Sequence, residues 1–92
     1  MERFELGECL ITPEAKKKLD QGEFPAECLL IRHRQGDWDE LEPEEIVANN
    51  RALVFGGRVF STYTIEGSKF LVITLADRSS TTIMLATEFD DA

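Results

Sequence analysis

The chain has little of what marks a disulfide-bonded, metal-binding or cofactor-dependent protein. Its 92 residues include two cysteines, one histidine and one tryptophan. Cys9 and Cys28 are too few for a disulfide framework and lack the paired spacing of a zinc site. Each stands beside aliphatic residues, so we expect buried, reduced thiols. The sequence contains no Gly-rich phosphate-binding loop and no nucleophile elbow, and we therefore expect no metal and no cofactor.

Long hydrophobic runs are also missing. No stretch reaches the length of a signal-peptide core or of a membrane-spanning helix. We therefore expect a cytoplasmic protein with no membrane contact. A hydrophobic fraction of 42% with 30% charged residues is typical of a globular chain. A chain of this length has room for one core, which predicts a single domain over residues 1–92.

Positive charge is scarce. Eighteen acidic residues against ten basic ones give a formal net charge of −8. Such a field repels nucleic acids and acidic membranes, and it attracts basic protein surfaces. Solubility is the favoured explanation of this charge, and imitation of a polyanion is the alternative.

Three helices are indicated before residue 58. The segment "PEAKKKLDQ" follows Thr12, a typical N-cap, and ends at Gly22. Pro25 opens a second helix, "PAECLLIRH", which stops near Gly36. A third begins at about Pro43 and is ended by the Gly56-Gly57 pair. Its inward face is predicted from apolar residues at roughly helical spacing, namely Ile46, Val47, Leu53 and Val54.

From Arg58 onward the pattern changes to that of β-strands. The segments "RVFSTYTI", "KFLVITLA" and "TTIMLAT" have strand length and strand composition, and their short connections predict an antiparallel meander. Cys9–Ile11 is interpreted as a short N-terminal strand or extended arm. Together these elements predict an α+β fold with N-terminal helices packed on a three-stranded sheet. On the first strand, Phe60, Thr62 and Thr64 share a side that suits solvent or a partner.

The segment "RHRQGDWDELEPEE" holds the only His and the only Trp beside a run of acids. One interpretation is a docking surface for a basic protein, in which Trp38 is an interface anchor. The residues assigned to it are Trp38, Asp37, Asp39, Glu40, Glu42 and, from a strand end, Arg78. The structural alternative is a turn held by a buried Trp38, with its acids in water at the start of a helix. A calcium loop is disfavoured because Pro43 interrupts the required ligand spacing.

A catalytic alternative uses the same segment. His33 can act as a general acid or base, Arg32 and Arg78 can hold a phosphate, and Asp37 is a possible base. This set would suit a ribonuclease-like enzyme, with RNA as the partner, although the net charge opposes RNA binding. Such an enzyme requires His33 and Arg78 to converge in an open cleft. The structural alternative is that His33 and its neighbouring arginines cap the C-terminus of the second helix.

A spaced set of residues carries a family resemblance. The pattern "RHxxGDW … ITxADRSxTT" is formed here by Arg32-His33, Gly36-Asp37-Trp38, Ile73-Thr74, Ala76-Asp77-Arg78-Ser79 and Thr81-Thr82. Over about residues 10–89 the chain resembles small, poorly characterised "plasmid-related" proteins of bacterial plasmids and integrative conjugative elements. It departs from their pattern at Asp39, Leu71 and Leu75, which weakens any site built on the second strand. The helix-then-sheet layout is also similar to that of barnase-like and RelE-like ribonucleases.

The resemblance implies a mobile-element setting and no particular chemistry. We therefore predict a small acidic accessory protein that acts by binding a macromolecule, in the first place a protein. The ribonuclease-like enzyme is the alternative, and the oligomeric state is left open.

Overall fold

The computed structural model of the protein describes residues 3–89 and shows an α+β fold, as predicted. Strands and helices follow one another along the chain in the order β1 Glu8–Ile11, α1 Pro13–Gln21, α2 Ala26–Gln35, α3 Pro43–Phe55, β2 Val59–Ile65, β3 Ser68–Thr74, β4 Ser80–Leu85 and α4 Ala86–Phe89. No helix within the described residues is long and apolar enough to cross a bilayer.

The four strands form one mixed sheet in the order β1-β4-β3-β2. Strands β2, β3 and β4 make the predicted antiparallel meander. Strand β1 adds a fourth strand at the edge, parallel to β4, from the pair Glu8–Ser80 to the pair Ile11–Ile83. A parallel pair needs a long crossover, and here the crossover contains three helices and two strands. The sheet therefore has one strand more than the meander predicted from local turns.

The helices begin where local capping chemistry places them. At α1, Thr12 Oγ1 accepts a hydrogen bond from the backbone N–H of Ala15, and Pro13 stands at the first helical position. At α3, the Glu45 carboxylate accepts the backbone N–H of Glu42 at 2.8 Å. These bonds satisfy donors that a helix start otherwise leaves unpaired.

Helices α1, α2 and α3 pack on one face of the sheet, which carries Val59, Ser61 and Tyr63 of β2. Two hydrophobic clusters fill this layer, one with Ala15, Leu19, Leu29, Tyr63, Phe70, Val72 and Ile83, the other with Trp38, Leu41, Ala52 and Val59. The opposite face carries Phe60 and Thr62, and the one-turn helix α4 lies against β3 and β4 there. One side of the sheet is therefore only partly covered.

Helix α4 was not predicted from the sequence. The third predicted strand continued to Thr87, whereas β4 ends at Leu85 and the chain turns into α4 at Ala86. The Glu88 carboxylate accepts the backbone N–H of Leu85 and the hydroxyl of Thr12, both at 2.8 Å. This tertiary contact with Thr12 helps to end the strand. The alternation of residue types could not indicate this end, because Thr12 is distant in sequence.

The prediction of buried thiols was wrong, because Cys9 and Cys28 are both exposed. Cys9 lies on β1, an edge strand with little cover. On α2 the buried positions are Leu29 and His33, one turn apart, so Cys28 points away from the sheet. Aliphatic neighbours in sequence do not decide burial when the element has one inward side.

The inward face of α3 also differs from the predicted one. Asn49 and Ala52 are buried, with Ile46 and Leu53 half-buried beside them. Val47 and Val54 face outward and are 56% and 74% exposed. The helix is therefore rotated about its axis relative to the orientation that hydrophobicity predicted.

Candidate functional site

His33 lies in the interior, with no part of its side chain accessible to solvent. Helix α2 places its imidazole against the sheet, where Nδ1 is 2.5 Å from Ser61 Oγ and Nε2 is 2.9 Å from Thr74 Oγ1. The Thr74 hydroxyl continues to Thr81 Oγ1 at 2.7 Å, and the Thr81 hydroxyl donates to the backbone oxygen of Leu6 at 2.7 Å. A polar chain thus crosses the core between β2, α2, β3 and β4.

The end of this chain sets the direction of the hydrogen bonds from Thr81 back to His33 Nε2. Thr81 donates to a carbonyl, so the shared hydrogen between the two threonines comes from Thr74. Thr74 Oγ1 then accepts from His33 Nε2–H. His33 is therefore protonated on Nε2, and in the neutral ring Nδ1 accepts from the Ser61 hydroxyl.

Burial also keeps His33 uncharged. Desolvation lowers the pKa of its imidazole to about 4, because the charged form is disfavoured where water is excluded. No carboxylate contacts the ring to offset this effect among the contacts described. A neutral, enclosed imidazole with both nitrogens bonded is a structural group.

Arg78 serves to join two parts of the backbone. Its Nη1 donates to the carbonyl oxygens of Gly57, Leu75 and Ala76 at 2.6 to 3.2 Å, and its Nη2 donates to that of Ala52 at 3.1 Å. Ala52 lies in the last turn of α3, where its carbonyl also accepts the N–H of Gly56, and Gly57 follows the end of the helix. A cation is favoured at this end of a helix. The guanidinium therefore fastens the β3–β4 turn to α3, and these bonds occupy donors that an anion would need.

Phe4 contacts both proposed catalytic groups. Its ring packs edge-on against His33 at 5.2 Å between ring centres, and the Arg78 guanidinium lies 5.8 Å from its centre. His33 and Arg78 thus approach the same aromatic ring without forming an open cleft between them. The convergence that a His33-Arg78 ribonuclease requires is not found.

Arg32 and Asp37 pair with one another beside Tyr63. Arg32 Nε donates to Asp37 Oδ2 at 2.8 Å, and this bond raises the pKa of the guanidinium. The same guanidinium lies 4.5 Å from the centre of the Tyr63 ring. The Tyr63 hydroxyl donates to the Asp37 carbonyl at 2.9 Å, and burial raises its pKa to about 12. The pair holds the turn after α2 against the sheet.

Trp38 anchors the same turn from within. It is 3% exposed, and its Nε1–H donates to the backbone oxygen of His33 at 3.1 Å. The Arg3 guanidinium lies 5.1 Å from the ring centre. The indole therefore fills the second hydrophobic cluster and does not present its face for stacking or docking.

The acids after Trp38 divide into two kinds. Glu40 is used inside the protein, since its carboxylate accepts the backbone N–H and the hydroxyl of Thr64 at 2.7 and 2.8 Å. Asp39, Glu42 and Glu44 are exposed. The predicted docking residues are thus not one surface. Trp38, Asp37 and Arg78 have structural contacts, and the Glu42 side chain belongs to the capping box of α3.

Side chains cap the free edge of β2 at Phe60 and Thr64. The Asn49 amide donates to the Phe60 carbonyl at 2.6 Å and accepts the Phe60 N–H at 3.1 Å. Glu40 takes the outward N–H of Thr64, as described above. Backbone groups on an uncovered edge can recruit another strand, and here two side chains occupy them. Asn49, a weak helix former in the middle of α3, is explained by this contact.

The most exposed large apolar side chains of residues 3–89 lie on α3, and the sequence had not indicated their exposure. Val47, Val54 and Phe55 are 56%, 74% and 78% exposed and lie on the outward side of α3. Arg51 stands among them, 5.9 Å from the centre of the Phe55 ring. We call this surface the α3 outer face, formed by Glu44, Val47, Arg51, Val54 and Phe55.

The spacing of the α3 outer face identifies one side of a helix but does not show that this side is exposed. Positions 44, 47, 51 and 54 recur at intervals of three and four residues, which places them on one side of a helix. Ile46, Asn49 and Leu53 have an equally regular spacing, and they are the ones that pack inward. Both sides of α3 carry apolar residues, so hydrophobicity alone could not decide between them.

Comparison of the chain with models of known protein families, with curated proteins and with solved structures finds no match. Within residues 3–89, no three His, Cys, Asp or Glu side chains are grouped so that they could hold a metal ion.

Proposed function

We propose that this protein acts by binding another protein through the α3 outer face. The observation that carries the proposal is the exposure of Val47, Val54 and Phe55 on one side of a single helix. Isolated exposed apolar residues are ordinary, but a contiguous group with an aromatic and an arginine has the composition of an interface centre. Burying each of these side chains would contribute about 1.5–3 kcal/mol.

Charge along the same helix indicates the kind of partner. The exposed carboxylates of Asp39, Glu42 and Glu44 lie at its N-terminal end, and Arg51 lies toward its C-terminal end. A partner with a basic rim at one end of an apolar groove would match this order. The chain's net charge of −8 would speed its encounter with such a surface.

The geometry favours recognition of a helix in a groove. Side chains three, four and seven residues apart on an exposed helix are the usual contacts in that mode, and Val47, Arg51 and Val54 have this spacing. Addition of a partner strand to β2 is disfavoured, because Asn49 and Glu40 occupy its edge.

The mobile-element setting implied by the resemblance is kept as part of this proposal. It would make the partner a host or element-encoded protein. The ribonuclease alternative is disfavoured, because His33 is enclosed in the core and the Arg78 guanidinium is bonded to backbone carbonyls.

The test begins with a photo-crosslinking amino acid placed at position 55 in cells that carry the gene. A protein captured in this way is then purified, and its affinity for the full chain is measured by calorimetry. We expect Val54→Ser with Phe55→Ser to weaken binding by about tenfold or more, and Glu42→Lys with Glu44→Lys to weaken it most at low salt.

Matched controls come from other helices. Ile31 on α2 is 44% exposed, and Glu14 on α1 is exposed. Ile31→Ser and Glu14→Lys should leave the affinity within about twofold of the wild-type value. Equal losses in test and control variants, or no loss in either, would overturn the assignment of this surface.

A further inference from the structure

The open side of the sheet contains a groove that none of the contacts above employs. Its volume is about 410 Å³. Phe60, Thr62, Leu71 and Ile73 form its floor, Ala86 and Phe89 of α4 form one wall, and Arg58 and Lys69 stand at its ends. We call it the sheet-face groove, and we propose that it binds an amphipathic organic anion, a molecule with an apolar body and a carboxylate, sulfonate or phosphate head.

Strand alternation and register build the floor. Phe60 pairs with Ile73 and Thr62 pairs with Leu71 in the antiparallel ladder of β2 and β3. In each pair the side chains point away from the helical layer, because their neighbours Val59, Ser61 and Val72 point into it. Helix α4 packs on β3 and β4 and leaves the β2 side uncovered. The result is a trough beside α4, over the centre of the sheet.

The size and composition of the groove suit a small ligand. Ligand sites usually measure roughly 300–1,000 Å³, with mostly apolar walls and a few polar groups. Here Phe60, Leu71, Ile73 and Phe89 supply the apolar surface, and Thr62 adds a hydroxyl. Leu71 and Ile73 are only 6% and 9% exposed, so an aliphatic chain or a ring system would cover mainly Phe60 and Phe89.

The charges at the groove select the head group. Arg58 and Lys69 line it, whereas no Asp or Glu among residues 3–89 does. Neither base belongs to an ion pair within the part of the chain that the structure describes. The strand register places the two cations at opposite ends of the groove floor. Lys69 pairs with Thr64 at one end, and Arg58 precedes the Val59–Thr74 pair at the other. An anionic head beside the apolar floor would meet a cation at either end, and low local polarity strengthens that attraction.

The capped positions Phe60 and Thr64 on the edge of β2 favour a ligand that lies on the face of the sheet. A peptide that paired with β2 would need the backbone groups of Phe60 and Thr64, which Asn49 and Glu40 hold. Contact with the face depends instead on apolar area and on the terminal charges. The floor of this groove lies on the side of the sheet opposite α3, and Arg58 borders both the groove and Arg51 and Phe55 of the α3 outer face.

The test uses the full chain and three twelve-carbon probes. Dodecanoate and dodecyl sulfate are kept below their critical micelle concentrations, and dodecanol is kept below its solubility limit. By calorimetry, and by displacement of the fluorescent anion anilinonaphthalene sulfonate, we expect saturable binding of both anions at one site. Dodecanol should bind about tenfold more weakly or worse, because it lacks the charge. Circular dichroism at each probe concentration reports whether the fold is kept. Equal affinity for dodecanol, or no saturable binding, would overturn the proposal.

Two variants and one control separate a specific site from general attraction. Arg58→Gln with Lys69→Gln removes both cations of the groove, and Lys17→Gln with Lys18→Gln removes two exposed cations of α1. We expect the first pair to weaken dodecanoate binding about tenfold and the second to change it less than about twofold. Thr62→Trp should fill the groove and abolish binding. Equal effects of the two charge changes would show that the groove is not the site.

A measurement on the wild-type chain guards against variants that fail to fold. In amide NMR spectra, dodecanoate should shift resonances of β2, β3 and α4 more than those of α1 and α2. Shifts concentrated elsewhere would overturn the assignment even if every variant were unstable.

Discussion

His33 Nε2 lies 2.9 Å from Thr74 Oγ1, and this hydrogen bond joins helix α2 to the central strand β3 inside the core. The residue with the most catalytic potential in the sequence is thereby a structural one. Its other nitrogen is bonded to Ser61 on the edge strand β2. A single imidazole therefore fixes the position of α2 over two strands.

Replacing His33 by Ala should destabilise the fold by about 2–4 kcal/mol. The substitution leaves the Ser61 and Thr74 hydroxyls without their partner and opens a cavity in the core. Urea unfolding followed by Trp38 fluorescence measures this change. Gln35→Ala on the exposed end of the same helix should cost less than about 1 kcal/mol. Similar losses for the two variants would contradict the buried network.

Stability should fall as the pH is lowered below the usual pKa of histidine. The folded-state pKa of His33 is lowered to about 4 by burial, whereas the unfolded chain has the ordinary value of about 6.5. Between these values the unfolded state binds a proton that the folded state does not, so acid favours unfolding. The loss should reach about 2 kcal/mol between about pH 7 and pH 5. Urea midpoints of wild type and His33→Gln over this range provide the measurement, and parallel curves would refute the assignment.

Arg78→Lys should destabilise the protein although it preserves the charge. Lysine has one ammonium group, which cannot reach the Ala52 and Gly57 carbonyls together with those of the turn. The backbone of Arg78 also has a positive φ of 61°, which both residues must tolerate equally, so the difference reports the side chain. We expect a loss of about 1–3 kcal/mol in thermal unfolding. Arg51→Lys, on the exposed α3 outer face, is the matched control and should be nearly neutral.

Asn49→Ala should expose the edge of β2. The Phe60 N–H loses its acceptor and the Phe60 carbonyl its donor. Hydrogen exchange of the Phe60 amide, followed by NMR, should accelerate more than that of the other β2 amides. Asn50→Ala, which removes an exposed contact to Arg3 instead, should leave the Phe60 amide protected. Unchanged exchange in Asn49→Ala would show that the side chain does not guard this edge.

Sequence patterns predicted the helices and strands of this fold well, but they did not predict which of these elements pack or pair with one another. The starts of α1 and α3 follow from Thr12, Pro13 and Pro43, whose effects act within one turn of chain. The meander follows from alternation and short turns. The partner of β1 does not, because Cys9–Ile11 meets β4 about seventy residues later, and only the assembled sheet offers that edge.

The candidate sites show the same division. The sequence singled out His33, Trp38 and Arg78 by residue type, and the structure holds all three in internal contacts. It gave no sign of the α3 outer face, since Val47 and Val54 matched an inward pattern as well as Ile46 and Leu53 did. The hydrogen bonds of Asn49 to β2 place its side of the helix inward. A rule based on hydrophobicity would instead have placed this asparagine on the exposed side.

By itself, the sequence determined the α+β class, the acidic surface and the order of the principal helices and strands, because propensity, capping and alternation act over a few residues. The tertiary structure decided that the lone histidine is neutral and enclosed, that one side of α3 is left apolar and exposed, and that a cation-lined groove remains on the sheet. These outcomes depend on which surfaces pack together across the fold. Only that packing buries a side chain, and burial shifts the pKa of a histidine.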